Sequence, residues 1–253
     1  MKILDILFRY VVAFLALLLL WQAGASALGP YLLPAPAEVL NAWAASLQEP
    51  VMRGHILSSS FRVVSAMILA WLVAFPLGIL LGYRRRIDRY VSPMVFLTYP
   101  LPKIVLLPVF LTLFGLGDLS KILIIALTTG YQILVVTRDG IRQLDARYLD
   151  AFRTLGGTPV QLVRHVLVPA ALPSAMTALK VSSGTAVAVL FMAESFATQS
   201  GLGFLIMDAW GRGDQLKMFC GILSMSLLGL VIYEICHVAE RILCRWKRLE
   251  NRR

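Results

Sequence analysis

Charge is sparse in this sequence: Asp, Glu, Lys and Arg make up 15% of its 253 residues, against 58% hydrophobic. A soluble domain of that length has too little charge here to clothe its surface. With a mean hydropathy of +0.77, the chain reads instead as a polytopic membrane protein, one domain over 1–253. Acidic residues are scarcer than basic ones, 14 against 24, leaving a formal net charge of +10. A net charge of that size could suggest nucleic acid, but its distribution argues otherwise. The Lys and Arg residues gather instead in short segments between apolar runs, the distribution of the positive-inside rule. No nucleic-acid partner is expected.

Signatures of chemistry are equally sparse. The three cysteines, Cys220, Cys236 and Cys244, have no metal-ligand spacing and read as small apolar residues or free thiols. His55, His165 and His237 are scattered, and no H-E-x-x-H occurs. There is no G-x4-G-K-[ST] phosphate loop, so the chain does not bind ATP in that manner. No Ser–His–Asp set, paired carboxylates, internal repeat or low-complexity segment stands out. No catalytic residue, metal site or cofactor is expected.

What is there is a series of apolar runs, and they predict an all-α chain with about six transmembrane helices. The first, about 10–28, follows Lys2 and Arg9 and closes on Ala25-Ser26-Ala27. Small residues there could serve a signal-peptide cleavage site, but the run is long for that, and a retained signal anchor is expected. Pro30, Pro34 and Pro36 keep the next stretch extended outside the membrane, with a short surface helix over 38–47. The second run, about 61–83, contains Pro76 and ends on Arg84, Arg85, Arg86 and Arg89. The third, about 91–115, holds Pro93, Pro100, Pro102 and Pro108. That density predicts either a kinked, partly unwound helix lining a pathway, with Tyr99 and Pro100 as candidates, or a merely bent packing helix. Runs four to six fall at about 122–137, 170–196 and 218–239. Grouped by flank, Lys2 and Arg9, the four arginines after run two, Arg138, Arg142, Arg147, Arg153 and Arg164, and the tail's Arg241, Arg245, Lys247, Arg248, Arg252 and Arg253 are 17 of 24 basic residues. Six spans with both termini cytoplasmic accommodate that asymmetry.

One long polar interruption remains, at 145–173. Asp145 can cap a short helix whose apolar face is Leu149, Phe152 and Leu155. Gly156-Gly157 ends it, since glycine takes the left-handed turn without a Cβ penalty. Thr158 and Gln161 form a capping box for a second helix with Pro159 at its first position. Pro169 and Pro173 mark the entry to run five. A rigid helix–elbow–helix between two spans is a shape another protein can grip.

This stretch resembles the cytoplasmic loop of permease subunits of bacterial ABC importers, whose pattern E-A-A-x3-G-x9-I-x-L-P docks into the ATPase subunit. Asp150, Ala151 and Phe152 stand at E-A-A, Gly156 at the glycine, and Val166, Val168 and Pro169 at I, L and P. Three further segments, YLLPAPAEVLNAW, PLPKIVLLPVFLTLFG and GLGFLIMDAWGRG, are similar to elements of the nitrate/sulfonate/taurine branch of that family. The resemblance covers nearly the whole chain. It implies a coupling-helix loop over about 138–169 between spans four and five. It also implies two permease copies, two ABC ATPase subunits and an extracytoplasmic solute-binding protein, in the lipid of the inner membrane. The solute it implies is a small anion of the nitrate, sulfonate or taurine kind, although the branch also includes importers of thiamine-precursor pyrimidines.

Run five carries the remaining candidates. Lys180 and Glu194 are ionisable groups within a span, where such groups mark pathways by default. Lys180 could equally snorkel and Glu194 sit at the interface. They are 14 positions apart, about 21 Å along a helix, too far to pair with each other. Small residues around Ser183 and Ala186 offer a close-packing face as interface or pathway wall. A secondary transporter or channel would usually show inverted halves or several intramembrane carboxylates, and neither is clear. An intramembrane enzyme lacks a visible catalytic set.

Overall fold

Without water to satisfy backbone groups, an apolar run must close its hydrogen bonds internally, and a helix is the way a single segment does so. The computed structural model describes residues 2–196 and 198–246, and every regular element among them is helical. The tail residues Lys247, Arg248, Arg252 and Arg253 lie outside the described residues. In chain order the helices are α1 (Lys2–Leu28), α2 (Pro36–Ser46), α3 (Pro50–Tyr83), α4 (Arg85–Thr98), α5 (Leu107–Phe114), α6 (Asp118–Arg142), α7 (Ala146–Thr154), α8 (Pro159–Leu162), α9 (Val168–Ser195), α10 (Leu202–Gly211) and α11 (Gln215–Leu243). Among the described residues, five stretches are long and apolar enough to cross a membrane. The pair Arg85–Thr98 and Lys103–Phe114, bent by 85°, makes six if it is one broken span.

Two helices run past the expected boundaries. α3 is 34 residues, about 51 Å at 1.5 Å per residue and well beyond a hydrocarbon core of about 30 Å. Residues 50–60 therefore continue the helix rather than leaving it, starting from Pro50, whose missing N–H costs nothing at a first turn. The second helix of the polar interruption likewise does not stop before run five. α8 passes through a π-helical turn, Val163–Leu167, directly into α9. Pro169 has no N–H to return to residue 165 and its ring crowds that carbonyl, so the helix widens by one residue instead of ending.

The central pair is α3 against α6. On α3, Arg62, Ala66, Ala70, Ala74, Gly78 and Gly82 recur every fourth residue and all are buried, a single stripe down one face. The last two turns have no room for a side chain. A Cβ on Gly78 would lie 2.7 Å from Thr137 Cβ and 2.9 Å from the Leu134 carbonyl, and one on Gly82 2.6 Å from Ile141 Cβ. The two backbones approach as closely as small residues permit.

α9 packs on the other side of α6, and Ser183 and Ala186 are buried within the chain at 1% and 0% exposure. They are therefore not a free surface for a second copy, because their small size serves contacts inside the subunit. α10 and α11 close against α9. α2 lies on α11, where Trp43 Nε1 donates to Ser224 Oγ at 2.9 Å. α1 is outermost and mostly exposed, pinned near its end by Trp21, which donates to the Pro34 carbonyl at 3.1 Å and stacks on Phe219.

Gly78→Leu forces four extra carbons into a site with no space, and the expected cost is about 1–3 kcal/mol. Thermal unfolding of the detergent-purified chain reads it as a lowered midpoint. A midpoint equal to the parent's would mean that α3 and α6 do not touch there.

Candidate functional site

The polar interruption builds a compact element at the end of the molecule where α3 and α11 finish and α9 begins. Asp145 Oδ1 accepts from the Arg147 N–H at 3.0 Å and starts α7. α7 ends in a Schellman turn: Gly156 sits at φ +74, and the Gly157 N–H reaches back to the Phe152 carbonyl at 3.4 Å. The Phe152 ring lies so close on Gly157 that a Cβ there would collide with it. Thr158 and Gln161 close the capping box, with Thr158 N–H donating to Gln161 Oε1 at 2.9 Å and Gln161 N–H to Thr158 Oγ1 at 3.4 Å.

The element is rooted in an apolar cluster at the ends of α3, α6 and α9. Leu162, Leu167, Ile79, Ile141 and Ala171 are buried there, with Leu149, Phe152, Val166 and Val168 packed against them. Leu155 does not join Leu149 and Phe152 on that face. It follows the last residue of α7, where the chain is already turning, and it is 86% exposed. Asp150 and Ala151 are exposed, Phe152, Val166 and Pro169 are half-buried, and Gly156 is exposed at the elbow. So the predicted docking residues divide into an outer set at 150, 151 and 156 and an inner set that anchors.

The proline-dense run is broken where Tyr99 and Pro100 were singled out. α4 stops at Thr98, and the chain resumes with a 3-10 turn, Lys103–Leu106, ahead of α5. Tyr99 and Pro100 are both exposed at the break. Lys103 holds the corner: its Nζ donates to the Thr98 and Tyr99 carbonyls, each at 2.7 Å. It also lies 4.3 Å from the Tyr131 ring centroid. A cation at a helix C-terminus and over an aromatic face is stabilised twice. Beside it is a cavity of about 280 Å³ lined by Leu101, Pro102, Leu127 and Tyr131. Sequence reading left Lys103 unassigned; a lysine directly after Pro-Leu-Pro inside an apolar run was the available signal.

Lys180 and Glu194 each have a partner within the chain. Lys180 Nζ is 2.5 Å from Glu240 of α11, and Thr177 also donates to that carboxylate at 2.7 Å. Glu194 is fully buried at the centre of a charge knot. Arg62 Nη1 donates to it at 2.7 Å, Ser59 Oγ at 2.8 Å and the Gly203 N–H at 2.9 Å. Arg62 also reaches Asp118 at 2.7 Å and the Ser200 carbonyl at 2.8 Å. Gly201, at φ +110, has no room for a Cβ against that carboxylate. The knot thus joins α3, the start of α6, the end of α9 and the turn into α10. Arg62 is the residue the sequence analysis missed, although an arginine heading an every-fourth stripe of small residues marks a buried face. At the opposite, arginine-rich end, buried Asp88 receives Arg138 Nε at 2.5 Å and also pairs with Arg142.

Removing one partner of a buried ion pair strands the other charge, at a cost of about 3–5 kcal/mol. Arg62→Met is expected to lose that much, and Arg62→Met with Glu194→Leu to recover most of it. The two thermal midpoints compare the cases; an unchanged midpoint for Arg62→Met would contradict a buried pair.

The family model described as "Binding-protein-dependent transport system inner membrane component" matches residues 74–241. The chain is 29% identical over 230 residues to "Putative aliphatic sulfonates transport permease protein SsuC" of Bacillus subtilis (strain 168), covering 90% of this chain and 83% of that protein. It is also 29% identical over 236 residues to "Formylaminopyrimidine transport permease protein ThiX" of Halalkalibacterium halodurans, covering 93% and 94%. Among solved structures, the inward-facing MetNI methionine ABC transporter has a similar fold, with TM-score 0.65, 20% identity and coverage of 76% of this chain and 95% of that one.

Proposed function

The chain belongs to the binding-protein-dependent transport system inner membrane component family, and from that premise we propose that it forms the membrane pathway for a small anionic solute and is driven through α7 and the Gly156 elbow. It is a multi-pass permease subunit of an ABC importer and not an enzyme, with ATP hydrolysis in a separate subunit. Membership brings an ATPase and an extracytoplasmic binding protein as partners.

The observation that carries the docking role is a patch of exposed apolar side chains, Tyr148 at 60%, Leu155 at 86% and Val160 at 76%. It stands on a capped, anchored element at the arginine-rich end. Apolar side chains held out rigidly where the chain meets water, rather than along a lipid face, mark a protein contact. Arg84, Arg85, Arg86 and Arg89 at the same end favour the cytoplasmic side for it, with both termini on that side too. One chain offers one such element, so two ATPases call for two copies, and a symmetric homodimer is the simplest assembly.

The anionic solute rests on Lys103. Lys180 is offset by Glu240 and Glu194 by Arg62, so neither leaves a net charge in the span. Lys103 is held by carbonyls and rings, with no carboxylate partner among the described residues. α4 has 14 residues, so Lys103 stands about 20 Å from the arginine-rich end, well inside the hydrocarbon. Beside it Tyr99 and Pro100 are exposed, which supports giving them to the pathway in this reading. A second reading, an uncharged pyrimidine, is favoured by the similarity to the formylaminopyrimidine permease.

Two measurements on proteoliposomes containing the permease, its ATPase and its binding protein test these roles. A short-chain sulfonate should be taken up in preference to an aminopyrimidine, and Lys103→Met should lower that uptake at least tenfold at equal complex yield. Undiminished uptake by Lys103→Met would remove the anionic reading. At Gly156, φ +74 is strained for any β-branched residue by about 1 kcal/mol or more. Gly156→Val should therefore lose ATPase co-purification and transport while still inserting. Normal transport by that variant would count against docking at the elbow.

A further inference from the structure

Between the α3–α4 turn, the end of α6 and the inner face of α7 lies a cleft of about 510 Å³. Arg84, Arg85, Arg86 and Arg142 line it, over an aliphatic floor that includes Ile141 and Leu149. No acidic side chain lines it. Arg84, Arg85 and Arg86 are exposed and make no ion pair among the described residues. Arg142 is 39% exposed and shares Asp88 with Arg138, which Asp139 also meets at 2.7 Å, so its charge is met and the surplus lies on Arg84, Arg85 and Arg86. The concentration of positive charge is therefore unbalanced, and it is held around a concavity whose floor is apolar.

A run of arginines that only oriented the chain in the membrane would need number and not shape. This run has both, and they part company at one residue: Arg89 belongs to the run but not to the cleft lining. We propose that the cleft binds the phosphate headgroup of an anionic phospholipid, with the glycerol and first acyl carbons over the aliphatic floor. Guanidinium groups bind phosphate oxygens in bidentate fashion and are lightly hydrated, so they give up water for such a ligand at little cost. The cleft opens where α3 and α6 end, the depth at which a headgroup lies, and basic pockets between spans on that side are suited to anionic lipid. The aliphatic floor distinguishes this occupant from a free phosphate ion, which would gain nothing from it.

The test uses the purified permease–ATPase complex, stripped of lipid and titrated with phosphatidylglycerol, with phosphatidylcholine of the same chains, or with inorganic phosphate, and read by native mass spectrometry. Phosphatidylglycerol should bind and phosphatidylcholine should not, and millimolar phosphate should fail to displace the lipid. Each arginine in direct contact with the bound headgroup should contribute roughly a fivefold affinity, so Arg85→Gln with Arg86→Gln should weaken binding roughly thirtyfold. The charge-matched control, Arg89→Gln with Arg245→Gln, alters exposed arginines outside the cleft lining and should change it less than twofold. Equal losses in the two variants would reduce the site to diffuse attraction. Displacement by phosphate would make the occupant a free ion, and no retention in the ATPase-bound complex would give the cleft to the partner protein; each result overturns the proposal.

Discussion

The pair between Arg62 and Glu194 is the constraint on which the other contacts of this molecule depend. Both are almost completely withdrawn from solvent, in surroundings where an unpaired charge costs several kcal/mol. Every nitrogen and oxygen of the two charged groups therefore has a partner, and each contact fixes another part of the chain. Ser59 and Arg62 come from α3, Asp118 from the head of α6, Glu194 from the foot of α9, the Ser200 carbonyl from the turn before α10, and the Gly203 amide from the first turn of α10. Helices from distant parts of the sequence are thereby tied at one level.

From that knot the helices are held along their length by shape rather than charge. The stripe Ala66, Ala70, Ala74, Gly78 and Gly82 lets α3 lie on α6 with almost nothing between the backbones. At the far end, Asp88 takes two arginines from α6 and fixes α4 beside it. A bundle clamped at both ends and interlocked in the middle moves as a body, since tightly packed interiors switch between arrangements rather than deform. Among the described residues the sharp corner is the one at Tyr99–Lys103, and it is held by carbonyls and ring faces, which exchange partners at lower cost than a buried carboxylate does.

Much of this was legible in the residues. The apolar runs predict about six spans, because a bilayer of known thickness permits few other readings of 20-residue greasy segments, and among the described residues there are five, or six if the bent pair is one. The capping box at Thr158 and Gln161 and the left-handed Gly156 were also visible, because caps and glycine turns are local chemistry. What stayed hidden was pairing. Lys180 and Glu194 stand out as lone charges in one span, while their partners Glu240 and Arg62 lie 60 and 132 positions away. Position in sequence carries no trace of such distances. The continuity from α8 into α9 was obscured for a different reason: Pro169 reads as a stop, and only the packing of Leu162, Leu167 and Ala171 into one cluster shows that the helix widens and goes on.

That widened turn sets an angle. A π-helical turn is an α-helix with one residue added, and each residue advances the helix by about 100°. Val160 points to solvent and Leu167 to the core because the extra residue in Val163–Leu167 supplies the rotation between them. The azimuth of the outward surface relative to the faces of the long helix behind it is thus written as a length, in units of one amino acid. Changing side chains in this turn alters how firmly the two surfaces are joined; changing its length by one would turn one against the other by more than a quarter of a revolution, leaving each surface intact and facing the wrong way.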